Sequence, residues 1–360
     1  MIKKKILLVD DSALMRRVLR DIIDSDDDFE VADQAVNGLE AFDLLSRNKY
    51  DAVVLDVNMP KMNGLQLLGE LRKYRIHVRV MMASTDTEEG AQTTLDALEL
   101  GALDFIHKPD SANSCRDGVF QQNFLRILHG VVISRPPVFD SPARVAEKKE
   151  ENKKFIGILQ KSSTRIAGRK IVAMASSTGG PKALQSVIPR LPANLDAPVV
   201  LVQHMPKGFT ASLAERLNSM SEVRVVEAQE GDRLECGTVY LAKGGMHMNV
   251  VSGAGGYTIH YTDEPIREGV KPCANYMYES LRTSKFDKIV CVVLTGMGAD
   301  GTEGIKNLKE VKKVHVISQN EETSTIYGMP KAVAKAGLSD QVVPLDNVAA
   351  EIVMQVGLNS

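Results

Sequence analysis

Short apolar runs recur along this chain in two blocks, and a long polar stretch separates them. In the first block the runs fall at residues 6–9, 31–35, 52–55, 80–83 and 105–106, each short enough for a strand, and most are continuous enough to be buried on both faces. Amphipathic stretches such as 13–23 and 93–100 lie between them, with the spacing and length that a helical crossover between parallel strands needs. This alternation predicts a parallel, doubly wound α/β sheet. The second block repeats the pattern at 171–174, 199–202, 238–241, 289–294 and 314–317, with 181–188 reading as a helix, and predicts a second, mostly parallel α/β domain. Between the blocks the periodicity is lost. Arg135-Pro-Pro, Ser141-Pro and Glu147-Lys-Lys-Glu-Glu-Asn-Lys-Lys follow one another, too polar to bury a core. The expected organisation is a domain at 1–128, a linker at 129–168 and a second domain at 169–357.

Composition narrows the class of function. The 44 Lys and Arg against 46 Asp and Glu give a net charge of -2, which lacks the basic balance of a dedicated nucleic-acid binder, so the expected partners are proteins. Even the linker, where nine Lys or Arg face three acids over 141–170, reads as a solvated tether. Cys115, Cys236, Cys273 and Cys291 form no Cys-x-x-Cys pair, which argues against a disulfide framework or a zinc site. No apolar run approaches the ~18 residues of a membrane span, and the first one ends on Asp10-Asp11, unlike a secretion signal. The expectation is a cytoplasmic protein without membrane insertion.

Chemistry in the first block gathers at strand ends. Asp10 and Asp11 close the first run and Asp56 the third, which brings three carboxylates to the edge where open α/β sheets bind ligands. Clustered carboxylates repel one another and call for a cation, an all-oxygen set suits Mg²⁺, and Lys108 adds a positive charge. A competing reading has Asp10 and Asp11 merely cap the helix that follows. Taken together, Asp10, Asp11, Asp56, Asn58-Met-Pro, Ser84 and Lys108-Pro109 resemble the receiver domain of two-component response regulators. The resemblance implies a flavodoxin-like fold in which Asp56 accepts a phosphoryl group. It also implies that Asp10, Asp11, Asp56 and the Asn58 carbonyl hold Mg²⁺ and that Ser84 and Lys108 read the phosphate. Phe105 matches the family's aromatic switch position and reads equally well as core, and Lys108-Pro109 is commonly a cis bond in that family.

In the second block the run at 171–174 leads directly into Ala175-Ser-Ser-Thr-Gly-Gly and then a helix. Such a strand-to-helix corner is where the Gly-x-Ser-x-Gly elbow exposes a nucleophile, and 175–179 match it except for one methyl group. The register selects Ser177 over Ser176. Ser, Thr and Gly are also ordinary capping and turn residues, so partners decide. A serine needs a base and the base an orienting group. Of seven histidines, His204 directly follows the strand at 199–203, whereas His247 lies in a glycine-rich loop. Asp300, in Thr295-Gly-Met-Gly-Ala-Asp-Gly just past the fourth run, can meet both at one sheet edge. Residues 296–301 also spell Gly-x-Gly-x-x-Gly with Glu321 beyond, a dinucleotide fingerprint. Asp300 would then repel the pyrophosphate, and Ser177 and His204 would go unused.

Four separated motifs, Ser176-Ser-Thr-Gly-Gly, Gln203-His-Met-Pro-Lys-Gly-Phe, Leu294-Thr-Gly-Met-Gly-Ala-Asp-Gly and Tyr327-Gly-Met-Pro, resemble the chemotaxis methylesterase family. With a receiver ahead of them, the resemblance implies phosphorylation-controlled hydrolysis of glutamate methyl esters, and glutamine deamidation, on methyl-accepting chemoreceptors. A chemotaxis histidine kinase would be the phosphodonor, and ester hydrolysis would need no cofactor. Ser177, His204 and Asp300 become the catalytic triad, the Met297 N–H an oxyanion donor, and Thr178 either orients His204 or caps the helix. The chain departs from the family at Met174-Ala175-Ser176, where Ile-Gly-Ala is usual, and the added methyl and hydroxyl are expected to narrow the pocket. The alternative function is a response regulator whose output domain only binds a partner or a dinucleotide.

Overall fold

In the computed structural model, which describes residues 2–84, 88–109, 118–136, 167–253 and 255–359, the apolar runs of both blocks lie in strands. The chain divides into two units, 1–140 and 141–360. In the first, β1 (Lys4–Val9), β2 (Phe29–Ala35), β3 (Ala52–Asp56), β4 (Val80–Ser84) and β5 (Asp104–His107) form a sheet in the order β2-β1-β3-β4-β5. Every pairing in it is parallel. Helices α1 (Ala13–Asp24), α2 (Gly38–Arg47), α3 (Gly64–Lys73) and α4 (Glu88–Leu100) connect the strands, and α5 (Gly118–Ile133) follows β5. One face of the sheet is sealed by Ile6 and Leu8 against Val18, Leu19 and Ile22 of α1 and Phe124, Leu128 and Val131 of α5. Each such side chain contributes about 1.5–3 kcal/mol on burial, so packing extends α5 into this core past residue 128. Strand β1 has β2 on one side and β3 on the other, and a crevice opens at their carboxyl ends.

The second unit carries a seven-stranded sheet in the order β14-β13-β12-β6-β7-β9-β8, parallel throughout. Its strands are β6 (Lys170–Ser176), β7 (Val199–Gln203), β8 (Arg224–Glu227), β9 (Thr238–Leu241), β12 (Lys288–Val293), β13 (Val314–Gln319) and β14 (Gln341–Val343). An antiparallel hairpin, β10 (His247–Gly253) with β11 (Gly256–Thr262), stands apart from that sheet. The helices are α6 (Gly180–Val187), α7 (Phe209–Met220), α8 (Ala274–Ser280), α9 (Thr302–Lys309), α10 (Met329–Lys335) and α11 (Leu345–Val356). All seven residues of β6 are buried, as a central parallel strand requires. Alternate residues Ile171, Ala173 and Ala175 face a core built with Cys291 and Val293 of β12, Met277 and Tyr278 of α8 and Ile305 and Leu308 of α9. The chain passes from β6 to β7 on one side and returns as β12 on the other, which brings the ends of these three strands to one crevice.

Among the described residues Cys236, Cys273 and Cys291 are free thiols, and Cys115 lies outside the described residues. No described helix is long and apolar enough to cross a membrane.

Candidate active site

At the crevice of the first unit the carboxylates of Asp10, Asp11 and Asp56 lie within 4.8 Å of one another. The capping reading for the two N-terminal acids fails, because the N-cap of α1 is Ser12, whose hydroxyl accepts the Met15 N–H. Asp10 instead accepts the Ser12 N–H at 2.9 Å. Lys108 reaches across from the end of β5 and sits 3.0 Å from Asp10 and 2.7 Å from Asp56. Burial pushes the Asp56 carboxyl up to about 6; the Lys108 charge pulls it down and that of Asp10 pushes it further up. Burial disfavours the Lys108 cation too, yet Asp56 and Asp10 outweigh that and raise its pKa. Ser84 is buried at the end of β4, Phe105 is buried on β5, and Asn58 is exposed just after β3. The cis peptide bond among the described residues is Lys271–Pro272, not Lys108–Pro109. Trans is the form favoured before proline, by about 0.5–1 kcal/mol.

In the second unit the two serines of the corner diverge. Ser176 closes β6 with no exposure, and its Oγ donates to Gln203 Oε1 at 2.7 Å. Gln203 Nε2 in turn donates to the carbonyls of Ser177 at 3.0 Å and His204 at 3.2 Å, locking β6 to β7. The Ser176 hydroxyl is therefore spent inside the sheet and does not narrow the pocket. Ser177 Oγ has no hydrogen bond among the described residues, while its N–H donates to Thr295 O at 3.0 Å. The turn depends on glycine twice. Gly179, the N-cap of α6, has φ 75°, and a Cβ on Gly180 would lie 2.0 Å from Gln203 Oε1. Gly179 rather than Thr178 is thus the cap, and the Thr178 carbonyl accepts from Thr295 Oγ1 at 3.0 Å.

His204 follows β7, and its Nε2 lies 2.7 Å from Asp300 Oδ2. Asp300 is itself cradled: the N–H groups of Ala274 (2.6 Å) and Asn275 (3.0 Å) and the thiol of Cys273 (3.0 Å) donate to its two oxygens. Burial would raise the Asp300 pKa, but the hydrogen bond and charge of His204, the Ala274 amide and the Cys273 thiol hold it below the usual carboxylate range. The carboxylate is therefore charged, Nε2 carries the proton it accepts, and Nδ1 is left as the basic nitrogen.

The loop between β12 and α9 is pinned at both ends. Thr295 Oγ1 donates to the carbonyls of Thr178 and Ile326 and accepts the Ile326 N–H at 2.9 Å, tying the loop to the corner and to the segment before α10. A Cβ on Gly296 would lie 2.7 Å from Ser177 Cβ and 2.4 Å from Met329 Sδ, so Ser177 packs directly against the start of this loop. Between Gly296 and Gly298 the Met297 N–H has no hydrogen-bond partner among the described residues. Tyr327-Gly-Met-Pro lies behind it, with Gly328 and Met329 donating their N–H groups to Gly296 O. The N–H groups of Gly301 and Gly304 both donate to Asn275 Oδ1, at 3.0 and 2.6 Å. A pyrophosphate at the start of α9 would need those donors, which counts against the dinucleotide reading. The positioning roles of Gln203, Thr295 and Asn275 escaped the sequence reading, although the first two stand in its motifs, because nothing local distinguishes a positioning amide or hydroxyl from an ordinary strand-end or helix residue.

Two units, one with an acid crevice of receiver type and one with a strand-to-helix serine beside a His–Asp pair, define a response regulator with a hydrolase-like output domain. The family model for CheB methylesterase matches residues 172–352, and that for the response regulator receiver domain matches residues 6–119. The protein-glutamate methylesterase/protein-glutamine glutaminase of Pyrococcus horikoshii is 41% identical over 98% of this chain and 94% of its own length. That of Bacillus subtilis is 38% identical over 97% of this chain and 98% of its own length. Among solved structures, the CheB methylesterase catalytic domain of Thermotoga maritima is 39% identical, covers 52% of this chain and 98% of its own, and has a TM-score of 0.50. The chain belongs to the CheB methylesterase family, with a response-regulator receiver domain ahead of the catalytic one.

Proposed function

We propose that this protein hydrolyses glutamate methyl esters on chemoreceptors, and deamidates glutamine there, under the control of phosphorylation at Asp56. The observation that carries the reading is the His204–Asp300 pair, 2.7 Å apart, at the sheet edge that also presents Ser177. Ser177 Oγ attacks the γ-carbonyl carbon, and its proton passes to His204 Nδ1 while Asp300 stabilises the imidazolium. The Met297 N–H, which has no other acceptor among the described residues, stabilises the oxyanion that forms. His204 then returns the proton to the departing methoxide, releasing methanol, or to the departing amide nitrogen in the glutaminase reaction, releasing ammonia. Water, deprotonated by His204, attacks the acyl-enzyme and frees glutamate and Ser177. These steps call on the chain's own groups and water. Ser177 and His204 are not hydrogen-bonded to one another here, and such bonds commonly tighten only when substrate is bound.

In the receiver, three carboxylates within 4.8 Å suit a hard divalent cation, with Asp10, Asp11, Asp56 and the Asn58 carbonyl as the residues that would hold Mg²⁺. Bound there, the cation neutralises charge on Asp56 and on the incoming phosphoryl oxygens. Lys108, already 2.7 Å from Asp56, and Ser84 then follow the phosphoryl group, with Phe105 in the last strand as the relay. A chemotaxis histidine kinase is the phosphodonor. The receiver is joined to the catalytic domain by a tether over the polar stretch after α5, most of which lies outside the described residues. The decisive experiment is methanol release from methylated receptor membranes, with the Ser177→Ala chain as control. Equal release by both would overturn the assignment.

A further inference from the structure

His247 is fully buried at the start of β10, away from the serine corner in sequence, and its two ring nitrogens have unlike partners. Nδ1 accepts the Cys273 N–H at 3.2 Å, so the proton resides on Nε2, which donates to Pro265 O at 3.2 Å. A single neutral tautomer satisfies both, and Tyr276 packs on the ring with centroids 4.6 Å apart. Burial and the nearby charge of Lys271 keep the ring pKa below its ordinary value, consistent with that neutral form.

Cys273 is the N-cap of α8 and offers no side-chain cap of its own. Its thiol and the next two backbone N–H groups are the donors that hold Asp300. Asp300 thus caps α8 from another loop, and the Cys273 N–H, the donor one residue earlier, is satisfied by His247. If that donor were orphaned, the backbone would turn to find a partner, because an unpaired buried N–H carries the full cost of its desolvation. The first donor to Asp300 lies one peptide unit away. Resting on the esterase reading, we infer that His247 is a positioning residue of the triad, acting through the Cys273 amide on the cradle that aims Asp300 at His204.

The test compares His247→Asn, whose Oδ1 can stand where Nδ1 accepts, with His247→Leu, which fills the space without an acceptor. In the full chain, the Leu variant is expected to lose about tenfold or more in kcat at unchanged KM, since a 1 Å misplacement can cost roughly 100-fold. The Asn variant is expected to recover most of the rate. A second readout, independent of turnover, is the low-field proton resonance of the His204–Asp300 hydrogen bond, expected to shift or broaden in the Leu variant and to be restored in the Asn variant. This readout separates the inference from the esterase assignment, because it reports the pair whether or not methyl ester is hydrolysed. A Leu variant with parental kcat, or an unshifted resonance, would overturn the inference. So would an Asn variant that is as folded as the parent by thermal melting yet as slow as the Leu variant.

Discussion

Ser176 and Ser177 differ by one position and by everything that matters for nucleophilicity. The first donates its hydroxyl to Gln203 inside the sheet, and the second, beside Gly296, has an Oγ with no hydrogen bond among the described residues. Ser177→Ala is expected to reduce ester turnover drastically; in another serine hydrolase the corresponding loss is about 10⁶ in kcat. Ser176→Ala should keep most activity while lowering the melting temperature, because Gln203 Oε1 loses a buried donor at a cost of about 1–3 kcal/mol. Measured turnover that falls with Ser176 and survives loss of Ser177 would move the nucleophile by one residue. Asp300→Asn is expected to slow hydrolysis by roughly 10⁴ through the wrong imidazole tautomer. The same substitution has a signature in acid. The Asp300 pKa is depressed on folding, so its ionised form stabilises the native state above the reference value of 3.8, and this contribution is lost as pH falls through the folded pKa. The gap in melting temperature between parent and Asn variant should accordingly narrow as pH drops below about 4.

At the scale of elements, the site is held by loops that lock one another at carboxyl strand ends. Thr295 ties the β12–α9 loop to the corner before α6 and to the segment before α10, and Asn275 ties the start of α9 to α8. Gly296 leaves no room for a side chain between Ser177 and Met329. Gly296→Ala is expected to displace the serine and the Met297 amide together and to cost about 100-fold or more in kcat. An Ala variant with parental kinetics would show that the Met297 loop has slack. In the receiver, the same logic places Ser12 rather than an acid at the helix cap, and the carboxylates of Asp10 and Asp11 gather with that of Asp56 instead.

For the whole molecule, the receiver and the hydrolase meet in one control scheme. Phosphorylation of Asp56 is expected to raise esterase activity by releasing a restraint exerted by the receiver, since it adds about -1.5 to -2 charge that Ser84 and Lys108 can follow. A chain beginning at Arg169 should then hydrolyse ester without phosphate, and Asp56→Asn in the full chain should stay at the basal rate. Stimulation only when receiver and phosphate are both present would favour direct activation instead. Chelating divalent cations separates the two chemistries. It should abolish phosphate-dependent stimulation while leaving basal methanol release unchanged, because Ser177, His204 and Asp300 use no cation in their steps.

The sequence by itself determined the two parallel α/β sheets, because strands buried on both faces must read as unbroken apolar runs at positions such as 52–55 and 171–174. It also marked Ser177, His204, Asp300 and the receiver acids, because parallel topology brings strand ends to one edge and those residue types sit there. Short, half-exposed strands such as β8 and β14 left too weak a pattern to find. Which hydroxyl stays unengaged, which glycines carry a steric necessity, and how Asp300 is cradled were decided only by tertiary structure. The donors of that cradle come from Cys273, Ala274 and Asn275, distant in sequence and chemically ordinary, and only the docking of α8 against the loop before α9 turns the Cys273 thiol and the Ala274 and Asn275 N–H groups toward a carboxylate.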